Sequence, residues 1–169
     1  MKRTLFIAAC LLMACCSKNI EDGSAIVKAG DTVPEFTITS VDGASVFNSG
    51  SAGKAVLIYL FWSECEDCKE QTPQIASIRS LWEDSPEMML VAIARGGENA
   101  TLEQAVAYWN STGIGTPLYY DADRSIFNLF ARSGVPRLYL IDKNGIVRWA
   151  PPGGYSIYAT HISDAISSL

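Results

Sequence analysis

The chain has 169 residues, 49% of them hydrophobic and 18% charged, and its 13 Lys and Arg against 18 Asp and Glu give a formal net charge of -5. That length suits one domain with a sizeable buried core, and the acidic balance argues against nucleic acid as a partner. Beyond the N-terminus there is no basic cluster, phosphate-binding glycine loop, membrane-length apolar span, internal repeat or low-complexity segment.

Residues 1–14 read as a lipoprotein signal peptide. Lys2 and Arg3 form its charged start, and the apolar stretch Leu5 to Ala14 is too short to span a membrane as a stable helix. Leu12-Met13-Ala14-Cys15 resembles a bacterial lipobox, in which the cysteine is lipidated and becomes the new N-terminus. An ordinary secretory signal, or modification of Cys16, is the alternative. Loss of residues 1–14 removes Lys2 and Arg3 and no acid, so the mature balance is 11 minus 18, or -7. The expected location is the cell envelope, with a lipid holding the protein to a membrane so that it faces the periplasm or the exterior. Residues 15–29, polar and small, read as a flexible tether, and 30–169 as the folded domain.

Ordered structure is expected from Gly30 onward. Phe36 and Ile38 alternate with Thr37 and Thr39 as in a half-buried strand, Asp42-Gly43 supplies a hairpin turn, and a second edge strand is expected around 44–47. Ala55 to Trp62 is an unbroken apolar run, the pattern of a fully buried strand. Directly after it comes Cys65-Glu66-Asp67-Cys68, opening a helix expected over 66–83 with Ile75, Ile78, Leu81 and Trp82 on one face and Pro73 kinking it. Met88 to Ala94 is a second continuous apolar strand. Thr101 with Gln104 forms a capping-box pattern for the next helix. A short strand at 117–121 leads to Asp123, the expected cap of a helix containing Ile126, Phe127 and Phe130. Arg137–Ile141 and Ile146–Trp149 flank the turn Asp142-Lys143-Asn144-Gly145, and a final helix is expected over 156–168.

Export alters how the five cysteines are read. Cys10 leaves with the signal, Cys15 is the anchor, Cys16 lies in the tether, and Cys65 and Cys68 remain in the folded part. A two-residue loop constrains the unfolded chain little, which weighs against a purely structural staple. With no second cysteine pair and His161 as the one histidine, the ligands for zinc are lacking, so no metal site is assigned. A thiol pair at the carboxyl end of a buried strand and the start of a helix suits reversible disulfide chemistry. The helix N-terminus favours a thiolate on the first sulfur, and the spacing lets the second resolve a mixed disulfide.

Across nearly all of residues 30–169 the chain resembles the TlpA/ResA-type branch of the thioredoxin superfamily. The match is carried by Gly30-Asp31-x-x-Pro34-x-Phe36, by Phe61-Trp62 ahead of the cysteines, by Pro73 five residues after Cys68, and by Gly134-Val135-Pro136-Arg137-Leu138-Tyr139-Leu140-Ile141-Asp142, which is similar to the family's Gly-Val-Pro-Thr-x-Phe-Leu-Ile-Asp. The resemblance implies an α/β thioredoxin fold: a central mixed β-sheet flanked by helices, an N-terminal β-hairpin extension and a helix inserted in the middle. It implies Cys65 as nucleophile and Cys68 as resolving thiol. It also implies a cis peptide bond before Pro136, lying against the first cysteine, with Val135, Pro136 and Trp62 contacting substrate. No cofactor is implied beyond the redox-active disulfide itself. Exported proteins with disulfides are the implied substrates, apocytochromes among them, with a thiol electron donor that the chain does not identify.

Three departures concern the site. No tryptophan immediately precedes Cys65, and the loop Ser63-Glu64 is one residue short. Leu60 stands where thioredoxins have a buried acid. Gln71 stands where the ResA-type glutamate falls, with Glu70 beside it, so Glu70 and Gln71 are the candidate proton-transfer positions. Glu64, Glu66, Asp67 and Glu70 crowd the pair against Lys69 alone; by disfavouring the thiolate they imply a fairly reducing couple, unless they are merely a solvated helix start. Two rival readings stand beside the reductase. A thiol peroxidase needs a Thr where Trp62 lies, and a lipid-anchored binding module would keep the cysteines as an inert disulfide.

Overall fold

The computed structural model describes residues 22–169 except 52, 80, 81, 83–85, 98 and 155. The expected signal peptide over 1–14, Cys15 and Cys16 lie outside the described residues. A hairpin comes first, β1 (Thr37–Thr39) pairing antiparallel with β2 (Val46–Asn48) around the Asp42-Gly43 turn. The main sheet is built from β3 (Ala55–Phe61), β4 (Met88–Arg95), β5 (Leu118–Asp121), β6 (Arg137–Ile141) and β7 (Val147–Trp149), in the order β5-β4-β3-β6-β7. β4 is parallel to both β3 and β5, whereas β6 is antiparallel to β3 and β7, so the sheet is mixed as expected. Helices α1 (Glu66–Arg79), α2 (Leu102–Thr112), the short α3 (Phe127–Phe130) and α4 (Ala159–Ser167) complete the fold. The insertion between β4 and β6 brings the expected helix, α2, and β5, the strand expected at 117–121.

The apolar runs lie at the centre of the sheet because neither face meets water: Leu57, Ile58, Tyr59, Leu60 and Phe61 are all buried. Alternation then divides them between two layers. Phe61 stacks on Trp109 of α2 at 5.4 Å, and Tyr59 bonds to α1, so these two side chains face the α1 and α2 side. Ile58 pairs with Tyr139 of β6, whose ring meets Phe130 of α3, and Phe130 in turn meets Phe36 from the hairpin. That second face is covered by the hairpin and α3.

α1 stops short of Trp82, which the sequence reading placed inside it, and two helix starts also differ. Asp123 does not cap α3: its carboxylate accepts from Ser125 N at 3.0 Å, while Asp121 accepts from the Ile126 and Phe127 amides at 3.2 and 2.7 Å. Asp121 ends β5 and is buried against the helix start, so the strand itself supplies the cap. The last helix begins at Ala159 rather than 156 because the Ile157 backbone is drawn into hydrogen bonds with Gln71.

The expected tether does not extend through residue 29. Asp22 Oδ2 accepts from Arg137 Nη1 at 2.8 Å and from Gly153 N at 3.0 Å, and Ser24 Oγ accepts from Arg137 Nη2. Arg132 N donates to Ser24 O, Ala25 bridges Ala131, and Val27 is buried in the core. Gly153 is required here, since a Cβ at that position would lie 2.7 Å from Arg137 Cζ. Partial burial pushes the Asp22 carboxyl up, but hydrogen bonds from Ser24, Gly153 and Arg137 outweigh it and hold the carboxyl well below the usual carboxylate range. The Asp22 contribution to stability is therefore present above roughly pH 4 and lost as the pH falls below it. Arg137 is 2% exposed, so Asp22→Ala strands a buried cation and should cost about 3 kcal/mol in urea unfolding at pH 7. A loss under about 0.5 kcal/mol would show that the pair is structurally idle.

Candidate active site: the Cys65–Cys68 pair

Cys65 closes the loop between β3 and α1. Its carbonyl accepts from Lys69 N at 3.0 Å, the first bond of the helix, so it occupies the N-cap position where the positive end of the helix dipole is strongest. It is half-buried, Cys68 one turn on is fully buried, and both are free thiols. The Cys65 Sγ donates to the Val135 carbonyl at 3.5 Å, and the Val135-Pro136 bond is cis. Val135, Pro136 and Cys65 thus meet at one end of the sheet. They do so because β6 runs antiparallel to β3, which puts the start of β6 beside the end of β3.

Burial pushes the Cys68 thiol well above the ordinary thiol range. The neighbouring Cys65 thiol adds to the rise, while a backbone hydrogen bond from Trp62 and the Arg95 charge oppose it. Cys68 is in this way kept as a neutral thiol inside the protein, and Cys65 is the sulfur a substrate can reach.

The candidate proton-transfer residues are engaged elsewhere. Gln71 is fully buried, its Nε2 donating to Ile157 O at 3.1 Å and its Oε1 accepting from Ile157 N at 2.6 Å. It therefore ties α1 to the segment ahead of α4. Glu70 is exposed and accepts from Ser156 Oγ at 3.4 Å. Leu60 lies on the opposite face of the sheet from Cys68, and the strand residue that approaches the cysteine is Tyr59. Its hydroxyl donates to the Cys68 carbonyl at 3.0 Å, as does Thr72 Oγ1 at 2.8 Å, and Tyr108 of α2 donates to Thr72 at 2.7 Å. This hydroxyl cluster fixes the Cys68 backbone between strand and helices. Glu64, Glu66, Asp67 and Glu70 are all exposed, with Lys69 Nζ 2.9 Å from Glu66, so solvent screens them as a wet helix start.

Trp62 is half-buried beside the pair, and the Arg95 guanidinium sits 5.2 Å from its ring centroid. Arg95 ends β4, at the carboxyl end of parallel strands where sites in α/β proteins form. Neither Arg95 nor Tyr59 stands out in the sequence. Tyr59 is one polar tip within an apolar run, and Arg95 is a single charge at the end of another. No group of three His, Cys, Asp or Glu able to hold a metal occurs among the described residues.

Residues 28–156 match the family model described as Redoxin. The chain belongs to the Redoxin family. The TlpA/ResA-type resemblance fits the same assignment: over 153 residues the chain is 26% identical to the thiol-disulfide oxidoreductase ResA of Bacillus subtilis, covering 86% of this chain and 83% of that protein. Among solved structures, a Bacteroides thetaiotaomicron protein assigned as a protein disulfide isomerase is 29% identical and superposes with a TM-score of 0.74, covering 86% of this chain and 90% of the other. A Chlorobium tepidum thiol:disulfide interchange protein of the thioredoxin family, 24% identical with a TM-score of 0.67 over 84% and 96% of the two chains, shares the fold.

In this Redoxin-family protein the cation facing the two sulfurs is Arg95, and its charge favours the thiolate form of Cys68. Removing it should push the Cys68 thiol further up and slow the resolving step. Arg95→Ala is expected to slow release of substrate from a preformed mixed disulfide by about threefold at pH 7. An unchanged or faster release would contradict this role.

Proposed function

We propose that this protein is a thiol-disulfide oxidoreductase of the bacterial cell envelope that reduces disulfides in exported proteins. The observation that carries the reading is the asymmetry of the pair: a half-buried Cys65 at a helix start against the Val135 carbonyl, backed by a buried, neutral Cys68. The Cys65 thiolate attacks one sulfur of the substrate disulfide, that S–S bond breaks, and the other substrate sulfur leaves as a thiolate. Cys68 then loses its proton and attacks Cys65 Sγ. A Cys65–Cys68 disulfide forms and the second substrate sulfur departs, so the substrate gains the two electrons that the protein loses. A thiol donor outside the protein restores the pair. During the mixed disulfide the substrate lies along Val135, Pro136 and Trp62, where an extended segment can pair with exposed backbone.

The envelope location rests on the signal-like residues 1–14 and the lipobox-like Leu12-Met13-Ala14-Cys15. The anchor in this reading is the lipid on Cys15; no helix among the described residues is long and apolar enough to cross a membrane. Substrates are proteins with disulfides outside the cytoplasm, apocytochromes among them, as the ResA likeness suggests. Insulin reduction with dithiothreitol as donor tests the activity. The wild-type protein should accelerate precipitation of the insulin B chain, whereas an inactive protein, unchanged by Cys65→Ser, would leave the binding-module reading in its place.

A further inference from the structure

The first described residues are fixed at the same end of the sheet as the thiol pair. Asp22 is held by Arg137 and Gly153, Ser24 by Arg132 and Arg137, and Ala25 by the bridge to Ala131. Arg137 is the residue after Pro136, and the Val135 carbonyl ahead of that proline accepts from Cys65. The chain then runs away from the site, Gly30 and Val33 bonding to Val147 and Gly145 near the turn at the far end. It therefore enters the domain at the active-site end, pinned by an ion pair in which Arg137 is 2% exposed.

Cys15 lies seven residues before Asp22. Fully extended, seven residue steps reach at most about 25 Å, less than the ~30 Å diameter of a small domain. An anchor on that cysteine is too short to let a domain held at Asp22 turn its thiol end away from the bilayer. The exposed Glu64, Glu66, Asp67 and Glu70 surround the pair at this end. Against anionic headgroups they hold the face off by roughly a screening length of 8–10 Å, enough room for an extended polypeptide segment.

We propose that the anchored protein works with Cys65 facing the bilayer, and that its substrates are disulfides in the membrane-proximal segments of membrane-bound proteins. This deepens the envelope reductase reading and rests on it, and on lipidation at Cys15. The test uses the full lipidated chain in vesicles of phosphatidylcholine and phosphatidylglycerol. Two lipid-tethered peptides present the same disulfide at roughly 10 Å and roughly 80 Å from the bilayer on polyproline spacers, and free insulin serves as a third substrate. The near peptide should be reduced about tenfold faster than the far one, because tethering raises effective concentration only where the geometry allows engagement. A Gly/Ser insertion of ~40 residues between residues 21 and 22 should bring that ratio close to one while leaving insulin reduction unchanged. Equal rates on near and far peptides with the unmodified chain would overturn the proposal. Inactivity on insulin would instead overturn the reductase reading beneath it. Mass spectrometry without lipid on Cys15 would remove the anchor, and the proposal with it.

Discussion

Cys65→Ser should abolish insulin reduction, by roughly a thousandfold or more, while Cys68→Ser should stop the reaction half-way. Only Cys65 is accessible to a substrate, so without it no S–S bond is attacked. In Cys68→Ser the first exchange still takes place and the mixed disulfide persists, since the buried hydroxyl cannot displace the substrate from Cys65. The variant should therefore accumulate covalent adducts that run as heavier species on non-reducing gels and collapse with dithiothreitol. Both substitutions are nearly isosteric, and Tyr59 and Thr72 bond to the Cys68 carbonyl rather than to its sulfur, so the backbone should stay in place. Adducts formed by Cys65→Ser but not by Cys68→Ser would reverse the assignment of the two sulfurs.

The resolving step should rise with pH about tenfold per unit from pH 6 to pH 9 and show no plateau at the ordinary thiol value near 8.5. Burial raises the Cys68 thiol, so at neutral pH only a minute fraction is thiolate, and each unit of pH multiplies that fraction by ten until the raised value is reached. Among the candidate residues, Gln71 is bonded to Ile157 and Glu70 is in solvent, so neither relieves the dependence. Linkage moves stability the opposite way. The reduced protein keeps its neutral Cys68 while the unfolded chain ionises, so its stability falls by about 1.4 kcal/mol per pH unit above roughly pH 8.5. Stopped-flow release of substrate from a preformed mixed disulfide measures the step directly. A flat profile between pH 7 and 9 would mean that another group takes the proton.

What the sequence made legible is what local pattern determines. Continuous apolar runs marked β3 and β4, Asp42-Gly43 marked the first hairpin, and the Thr101–Gln104 reciprocal cap is present as its spacing required. The thiol pair, Pro73 inside α1 and the cis Pro136 were legible from motif and resemblance. Four features were not. Tyr59 rather than Leu60 approaches Cys68 because one step along a strand reverses the face, and the shortened loop before Cys65 hides which step applies. Gln71 finds its partner 86 residues away, and Arg137 is paired with Asp22 across 115 residues. Such partners depend on tertiary closure, which no local window reports. Asp121 displaced Asp123 as the α3 cap because the strand delivers a buried carboxylate straight to the helix start.

A buried, neutral Cys68 behind a reachable Cys65 is expected to make a reducing couple. The most direct test is the equilibrium reduction potential of the Cys65–Cys68 pair at pH 7, read by thiol alkylation in graded dithiothreitol or glutathione buffers. The expected value lies below about -220 mV, on the thioredoxin side of the known range. A value near -120 mV, that of a strong oxidant, would contradict the account and make the protein a donor of disulfides.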